Sequence, residues 1–376
     1  MKKIIHQLLI SYYDKKACKW FSSQFKSYMH RLGLDAGIPV DGEKEHLQKW
    51  GKLSQDIEPY SFRLFSRYCG DDPNIVPEEV GHRKIETVLN PLSFRAFYGD
   101  KNMYSLYLDK TCMPDTILRR VGGGPILRDN FTPPHANFIK QGKIIPMKYD
   151  KLILKPSIGT SSGKGIMLFY RDENGYISAD GNIPLNMDFL YSYGDNFILQ
   201  EGIKQHSYLS QFCPTSVNTL RIAVYRSVKD EIVHVIGSIM RIGKNGKFVD
   251  NAHSGGRFVG IDIKTGELGS YVCDQYGNKI DEWNEINFKN NNFVIPYWEE
   301  VIEFAKYVGK CNHHMRLLAL DIALDEKGKP CLIEYNCDGF SYWLFMFTGE
   351  TPFGKYTDEI IDYCVKHPVH KAVLLI

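Results

Sequence analysis

The sequence predicts an α+β fold with antiparallel sheets behind a helical N-terminal region, and three observations point to it. Large apolar residues at helical spacing, Trp20, Phe21, Phe25, Tyr28, Met29 and Leu32, share an early segment with Lys and Gln on the other face. From Pro91 onward the texture changes to short β-branched and aromatic runs separated by Gly, Asn and Asp. These runs cluster, with helices interspersed between the clusters, which favours antiparallel sheets.

The opening MKKIIHQLLISYYDKK reads as an amphipathic helix. A signal peptide is not expected there, because His6 and Gln7 break the apolar run and Asp14, Lys15 and Lys16 follow with no small-residue cleavage site. Strands are expected at 151–155, 166–170, 196–200, 219–226, 232–240, 317–324 and 330–336. A long helix is expected from Tyr297 to Lys310, and a closing helix from Asp358 to Lys366 behind Thr357 as cap.

Charge and cysteine usage narrow the function. Of the 376 residues, 46 are Lys or Arg and 44 are Asp or Glu, a net charge of +2 that lacks the broad field of a nucleic-acid or anionic-membrane binder. The 9 cysteines contain no CxxC pair, which argues against a disulfide framework and a zinc site and for a reducing compartment. No stretch of about 18 uncharged apolar residues exists to span a membrane. The expectation is a soluble cytoplasmic protein.

Two segments carry chemistry. In KLILKPSIGTSSGKGIMLFY, Lys155 ends an apolar strand, a loop of small residues follows, and a second strand begins near Ile166. Small residues let backbone N–H groups converge on phosphate, with Lys155 or Lys164 supplying charge. The spacing is not that of a Walker A loop: Gly165 follows Lys164 where Ser or Thr should stand, and a strand follows the loop in place of a helix.

The second segment, LLALDIALDEKGKPCLIEYN, reads as a β-hairpin turning at Asp325–Gly328. A turn centred between Lys327 and Gly328 sets Asp321 opposite Glu334 and Ala319 opposite Asn336. Period-two alternation then puts Asp321, Glu334 and Asn336 on one face, and Leu320, Ile322, Leu324 and Ile333 on the other. Opposed Cβ atoms lie about 4.5–5.5 Å apart, so two carboxylates placed there repel unless a cation joins them. Oxygen ligands on a sheet suit magnesium shared with nucleotide phosphates. A merely solvated face would carry Lys, Thr or Glu where this one has Ala319 and Ala323.

Together the segments resemble the ATP-grasp superfamily, whose fold grips ATP between two α+β subdomains with antiparallel sheets. Lys155 and the loop through Gly165 look like its phosphate-covering loop, Gln200 and Glu201 in NFILQEGI like its adenine hinge, and Asp321, Glu334 and Asn336 like its metal ligands. VNTLRI at 217–222, FVDNAHSGG at 248–256 and IEYNCDG at 333–339 are most similar to the sugar-transfer-associated ATP-grasp proteins of polysaccharide biosynthesis. The resemblance covers about residues 90–365. It divides the chain into a helical region at 1–95, the N-terminal and central ATP-grasp subdomains with the glycine-rich loop at 96–200, and the C-terminal subdomain with the metal site at 201–376.

The resemblance implies carboxylate–amine ligation through an acyl phosphate, using ATP and two magnesium ions. It makes Lys101, Lys155, Ser161, Ser162, Gly163, Lys164, Gly165, Gln200, Glu201 and Ile203 the nucleotide contacts. It gives Arg221 the transferred phosphoryl group, Lys164 the γ-phosphate, and Asn251 with Gly255 and Gly256 the reacting carboxylate. Gly202 departs from the family, whose hinge often carries a bulky residue there. His253 is a candidate base, and Arg241 and Arg257 are candidates for holding an acidic substrate. The implied partners are a small-molecule or saccharide carboxylate, an amine, and enzymes of polysaccharide biosynthesis. A kinase acting on a sugar or other hydroxyl is the alternative outcome of the same site, and a nucleotide-binding module without turnover is a third.

Overall fold

The computed structural model describes residues 2–135, 145–159 and 163–368. The first sheet contains six antiparallel strands in the order β2-β1-β6-β3-β4-β5. These are β1 (Thr116–Arg120), β2 (Leu127–Arg128), β3 (Lys151–Pro156), β4 (Met167–Arg171), β5 (Tyr176–Ser178) and β6 (Phe197–Glu201). The second contains seven strands in the order β11-β10-β9-β8-β7-β14-β15. They are β7 (Leu220–Arg226), β8 (Val233–Ile242), β9 (Arg257–Gly260), β10 (Val272–Cys273), β11 (Lys279–Ile280), β14 (Leu317–Leu324) and β15 (Pro330–Asn336). A separate two-stranded ribbon joins β12 (Glu282–Trp283) to β13 (Ile286–Asn287).

The seven expected strands are β3, β4, β6, β7, β8, β14 and β15, the last two with the expected ends and the others within two residues of them. The long helix runs Trp298–Cys311, and its N-cap Tyr297 adopts a left-handed φ of 55°. Thr357 is the first residue of the closing helix Thr357–Lys366, and its hydroxyl donates to the carbonyl of Gly354, so it is not the cap. Strand structure also begins later than Pro91. Helix Leu92–Tyr98 and a 3-10 turn at Lys101–Leu106 precede β1, because the aromatic residues there recur at helical rather than alternating spacing.

The seven-stranded sheet is covered on both faces. Helix Trp298–Cys311 packs Val301, Ala305 and Val308 against Ile222, Val224 and Leu320. The N-terminal helices α1 (Lys2–Arg31), α2 (Glu43–Trp50) and α3 (Tyr60–Cys69) contribute Phe25, Trp50, Phe62 and Phe65 to one core with Ala223, Tyr225, Leu317 and Ala319. Burial of such side chains is worth about 1.5–3 kcal/mol each, so this region is integral to the fold. It covers the sheet face that, one turn of pleat further along, carries Arg221 and Asp321. The small Ala319 and Ala223 are fully buried in this core.

The hairpin register is as expected at the site: Asp321 pairs with Glu334 and Ala319 with Asn336. Nearer the turn it is one residue off, with Leu324 opposite Pro330 and Ile322 opposite Leu332, because Asp325–Lys329 form the turn. The carboxylate of Asp325 accepts from the N–H groups of Lys327 and Lys329 at 2.9 and 2.8 Å, and Gly328 takes a φ of 85°. A β-bulge at Ile333 absorbs the difference. Leu332 therefore fills the core place expected for Ile333, and Ile333 turns toward the cleft described next.

Candidate active site

A cleft of about 490 Å³ opens between the two sheets. From the six-stranded sheet, Lys151, Ile153 and Lys155 of β3 and Gln200 and Glu201 at the end of β6 face it, followed by Gly202 and Ile203. From the seven-stranded sheet come Arg221, Arg241, Asp321, Glu334 and Asn336, with segment 248–253 alongside.

Asp321 is the fixed point. Its Cα pairs with that of Arg221 on one side and Glu334 on the other. Arg221 donates from Nε and Nη2 to the two carboxylate oxygens, both at 2.8 Å, and Arg241 adds a bond from Nη1 at 3.0 Å. The second arm of Arg241 reaches Asp250 at 2.9 Å, and Asp250 in turn accepts from the backbone N–H and hydroxyl of Thr219. Burial pushes the Asp321 carboxyl up, but Arg221 and Arg241 outweigh it and hold it below the usual carboxylate range. Burial dominates at Asp250, whose carboxyl is raised despite Arg241.

Glu334 is held differently. Lys101, presented by a turn that the Asp100 side chain caps, reaches its Oε2 at 3.0 Å. Lys155 donates to the carbonyl of Ile333 at 3.2 Å, a carbonyl that the bulge releases, and so links one sheet to the other. Burial, reinforced by Lys101, lowers the Lys155 ammonium to about 8. The Glu334 carboxyl is lowered: burial opposes this, and the attraction of Lys101 outweighs it. Among the described residues, Glu334 Oε1 and Asn336 Oδ1 accept no hydrogen bond, while Asn336 Nδ2 donates to Ala319 O at 3.5 Å.

That pattern tests the metal expectation. Glu334 and Asn336 present free oxygens on one face and fit a magnesium ion that also binds phosphate and water. Asp321 shares the face, with both its oxygens hydrogen-bonded by arginine. Among the described residues no group of three or more His, Cys, Asp and Glu could hold a metal ion.

The remaining expected residues divide. Gln200, Glu201 and Ile203 line the cleft, the Gln200 amide being tied to Pro114 O and Thr116 Oγ1 at 3.3 and 3.2 Å. Gly202 is explained by Lys151: a Cβ there would come within 2.4 Å of the Lys151 side chain. Gly163 lines the cleft against Val249, whereas Lys164 and Gly165 are exposed beside it, and Ser161 and Ser162 lie outside the described residues. Lys101 touches the cleft only through Glu334. Asn251 lines it while its Oδ1 caps the turn Ala252–Ser254 by accepting from His253 N at 2.9 Å. His253 also lines it, with Nδ1 against Gln275 Oε1. Gly256 is confined by the turn, since a Cβ would lie 2.5 Å from Asp250 O. Arg257 stacks on Trp283 at 4.4 Å and does not line the cleft.

Sequence reasoning missed Asp250 and Lys151, and it missed a clamp supplied by the N-terminal region. His82 lies between Glu86 at 2.7 Å and Glu78 at 2.9 Å. Glu86 accepts from the N–H groups of Gly339 and Phe340 at 2.8 and 3.1 Å, and Glu78 from that of Trp343 at 2.6 Å. Arg95 adds an ion pair to Asp338 at 2.8 Å. The segment that continues β15 along the cleft is thus held from behind. The i, i+4 spacing of Glu78, His82 and Glu86 is visible in the sequence; their partners, some 250 residues on, are not.

Two antiparallel sheets facing each other across a cleft lined by a strand lysine, a hinge and a carboxylate hairpin define an ATP-grasp protein. The sequence model of the sugar-transfer associated ATP-grasp proteins matches residues 98–355, and the chain belongs to that family. Solved structures similar to it include D-alanyl-alanine synthetase A from Vibrio cholerae, at 13% identity and a TM-score of 0.39, covering 72% of this chain and 65% of that one. A D-alanine–D-alanine ligase from Bacillus anthracis follows at 11% identity and a TM-score of 0.38, covering 74% and 69%. The ATP-grasp ligase PsnB, complexed with a precursor variant, Mg and ADP, is 12% identical with a TM-score of 0.38, covering 86% and 74%. The chain thus spans a little under two-thirds of the Vibrio synthetase. No curated protein matches it. Among the described residues no helix is long and apolar enough to cross a membrane.

Proposed function

We propose that this protein is an ATP-dependent carboxylate–amine ligase that forms an amide through an acyl phosphate. The observation that carries the reading is the convergence of Lys155 from one sheet and Arg221 from the other on the Glu334–Asn336 face of a single cleft. Adenine lies along Gln200, Glu201 and Ile203, and the phosphates run toward Lys155 under the loop that carries Ser161, Ser162, Gly163, Lys164 and Gly165. Lys101 holds Glu334 in place beside them.

Transfer brings an attacking carboxylate up to an anionic phosphoryl group, so alignment and charge neutralisation dominate. Arg221 is suited to this. Asp321 occupies its Nε and Nη2 and leaves Nη1, without a partner among the described residues, for the phosphoryl oxygens. Arg241 and Asp250 fix Asp321, and so fix Arg221. Magnesium on Glu334 and Asn336, when bound, would neutralise phosphate oxygens. A carboxylate oxygen attacks the γ-phosphorus and the bond to ADP breaks; the amine nitrogen then attacks the acyl carbon, phosphate leaves, and the nitrogen loses a proton. With Gln275 Oε1 accepting from Nδ1–H, the Nε2 of His253 carries the free lone pair for that proton. Asn251 lines the same cleft as this base and Arg221, on the side proposed for the acid.

The family's association with sugar transfer supports a saccharide acid or amine as one substrate, and with it a place beside enzymes of polysaccharide assembly. An ADP-release screen of candidate acids crossed with amines, followed by product mass, tests the reading. Release that requires both partners, with a product of acid plus amine minus water, supports it. A product heavier by a phosphoryl group and formed without amine would assign the site to a kinase instead.

A further inference from the structure

Helix α1 is apolar on two sides, and only one of them is used by the fold. At about 100° per residue, Phe21, Phe25 and Met29 point to the body, where Phe25 and Met29 are buried. Ile5, Leu8, Leu9, Tyr12 and Trp20 fall within an arc of roughly 120° on the opposite side. They are 50%, 67%, 40%, 60% and 58% exposed, and they account for five of the large hydrophobic side chains left in solvent. From Ile5 to Trp20 this stripe runs about 22 Å.

The charges on this side are of one sign. Lys16 and Lys19 lie within the arc and Lys15 at its edge; all three are exposed, and none forms an ion pair with a described residue. The helix's sole carboxylate, Asp14, faces the body, bound to Arg83 at 2.7 Å and to Lys84 at 2.5 Å. The balanced total charge of the chain therefore hides a local separation. An apolar stripe with Trp and Tyr, bordered by lysines and free of acid, matches the chemistry of an anionic lipid surface: apolar residues enter the acyl boundary, rings lie at the headgroups and lysines meet phosphates.

We propose that α1 docks the protein on anionic membrane surfaces through Ile5, Leu8, Leu9, Tyr12 and Trp20, with Lys15, Lys16 and Lys19 on the headgroups. The helix lies along the surface without crossing it. The catalytic cleft is lined by none of these residues, so the docking function is separable from turnover.

The test is flotation of the full chain with vesicles of phosphatidylcholine alone or with added phosphatidylglycerol. Binding is expected only to the phosphatidylglycerol vesicles and should be released by salt. The double variant Leu8→Glu, Leu9→Glu should bind at least tenfold more weakly, and the triple variant Lys15→Gln, Lys16→Gln, Lys19→Gln should lose the preference for anionic lipid. Both should keep wild-type ATP turnover in solution, which shows that they fold. Failure of the wild type to float with phosphatidylglycerol would overturn the proposal, as would equal flotation of the Leu8, Leu9 variant. It would also be overturned by a concentration-dependent wild-type oligomer that the same variant abolishes, which would assign the stripe to a second copy. Binding only after removal of residues 369–376 would assign it to the chain's own C-terminal segment.

Discussion

The two strands of the hairpin present one carboxylate each to the cleft, and the two are held in opposite ways. The Asp321 side chain is 2% exposed and receives three hydrogen bonds from two guanidinium groups, one of which, Arg241, is itself braced by Asp250. The Glu334 side chain is 34% exposed and has a single lysine contact, next to the bulge at Ile333. Asp321 belongs to the permanent structure: a planar, bidentate arginine pair fixes geometry before substrate arrives. In the proposed reaction Glu334 exchanges partners, because one ammonium contact in a partly hydrated place costs little to release to metal and phosphate. Two carboxylates paired across one hairpin thus sit in unlike surroundings, which assigns positioning to Asp321 and, in the proposed reaction, ligand binding to Glu334.

Replacing Asp321 should have the largest effect. In Asp321→Asn, the buried Arg221 loses its counter-charge and Arg241 keeps only that of Asp250, which is expected to cost about 3–5 kcal/mol in denaturant-induced unfolding and to abolish ATP turnover. Full stability in that variant would remove the distinction between the two sites.

Next comes the clamp. Burial disfavours charge on His82, but Glu86 and Glu78 outweigh it and raise the imidazolium well above the ordinary value of 6.5. A raised folded-state value means that its stabilisation is complete below about 6.5 and is lost as pH rises through the folded value. His82→Gln is therefore expected to destabilise by roughly 3 kcal/mol at pH 6, with the gap from wild type narrowing at alkaline pH. Unfolding curves across pH would show a constant gap if the imidazole were neutral.

Glu334→Gln should leave stability within about 1 kcal/mol of wild type, since its ion pair is partly exposed. ATP turnover should nevertheless fall about a hundredfold and require more magnesium, as removal of a ligand to a metal commonly does. An unchanged magnesium titration would return the metal role to Asp321.

The smallest effect concerns Lys155. Its ammonium is lowered from 10.5 to about 8, so between those values the unfolded chain binds the proton that the folded chain has lost, and this group's contribution to stability rises with pH there. Phosphate needs the charged form. ATP affinity should fall severalfold as pH rises through about 8, and calorimetry in buffers of different ionisation enthalpy should show proton uptake on binding. Lys155→Arg should flatten that pH dependence, because guanidinium stays charged.

What the sequence made legible followed the range of the interaction. Strands such as β3, β7 and β14 are long apolar runs bounded by turn residues, and the Asp321–Glu334 pair lies within one hairpin, so local pattern sufficed for both. The bulge at Ile333 was hidden, because it depends on whether the turn holds four residues or five. The partnership of Asp321 with Arg221 and Arg241 joins strands 80 to 100 residues apart, and no local spacing encodes that pairing. The hairpin alone shows two opposed carboxylates, and the arginines that lie against one of them come into view only with the fold. The N-terminal region carried no motif because its contribution is made through packing on the sheet and through backbone N–H groups of a distant segment.

The central claim, acyl phosphate formation in this cleft, is most directly tested with an acid found in the ADP-release screen and labelled with oxygen-18 in its carboxylate. Each turnover with amine should deliver one labelled oxygen to inorganic phosphate, detected by mass spectrometry. Unlabelled phosphate, with the label retained in the product, would contradict it.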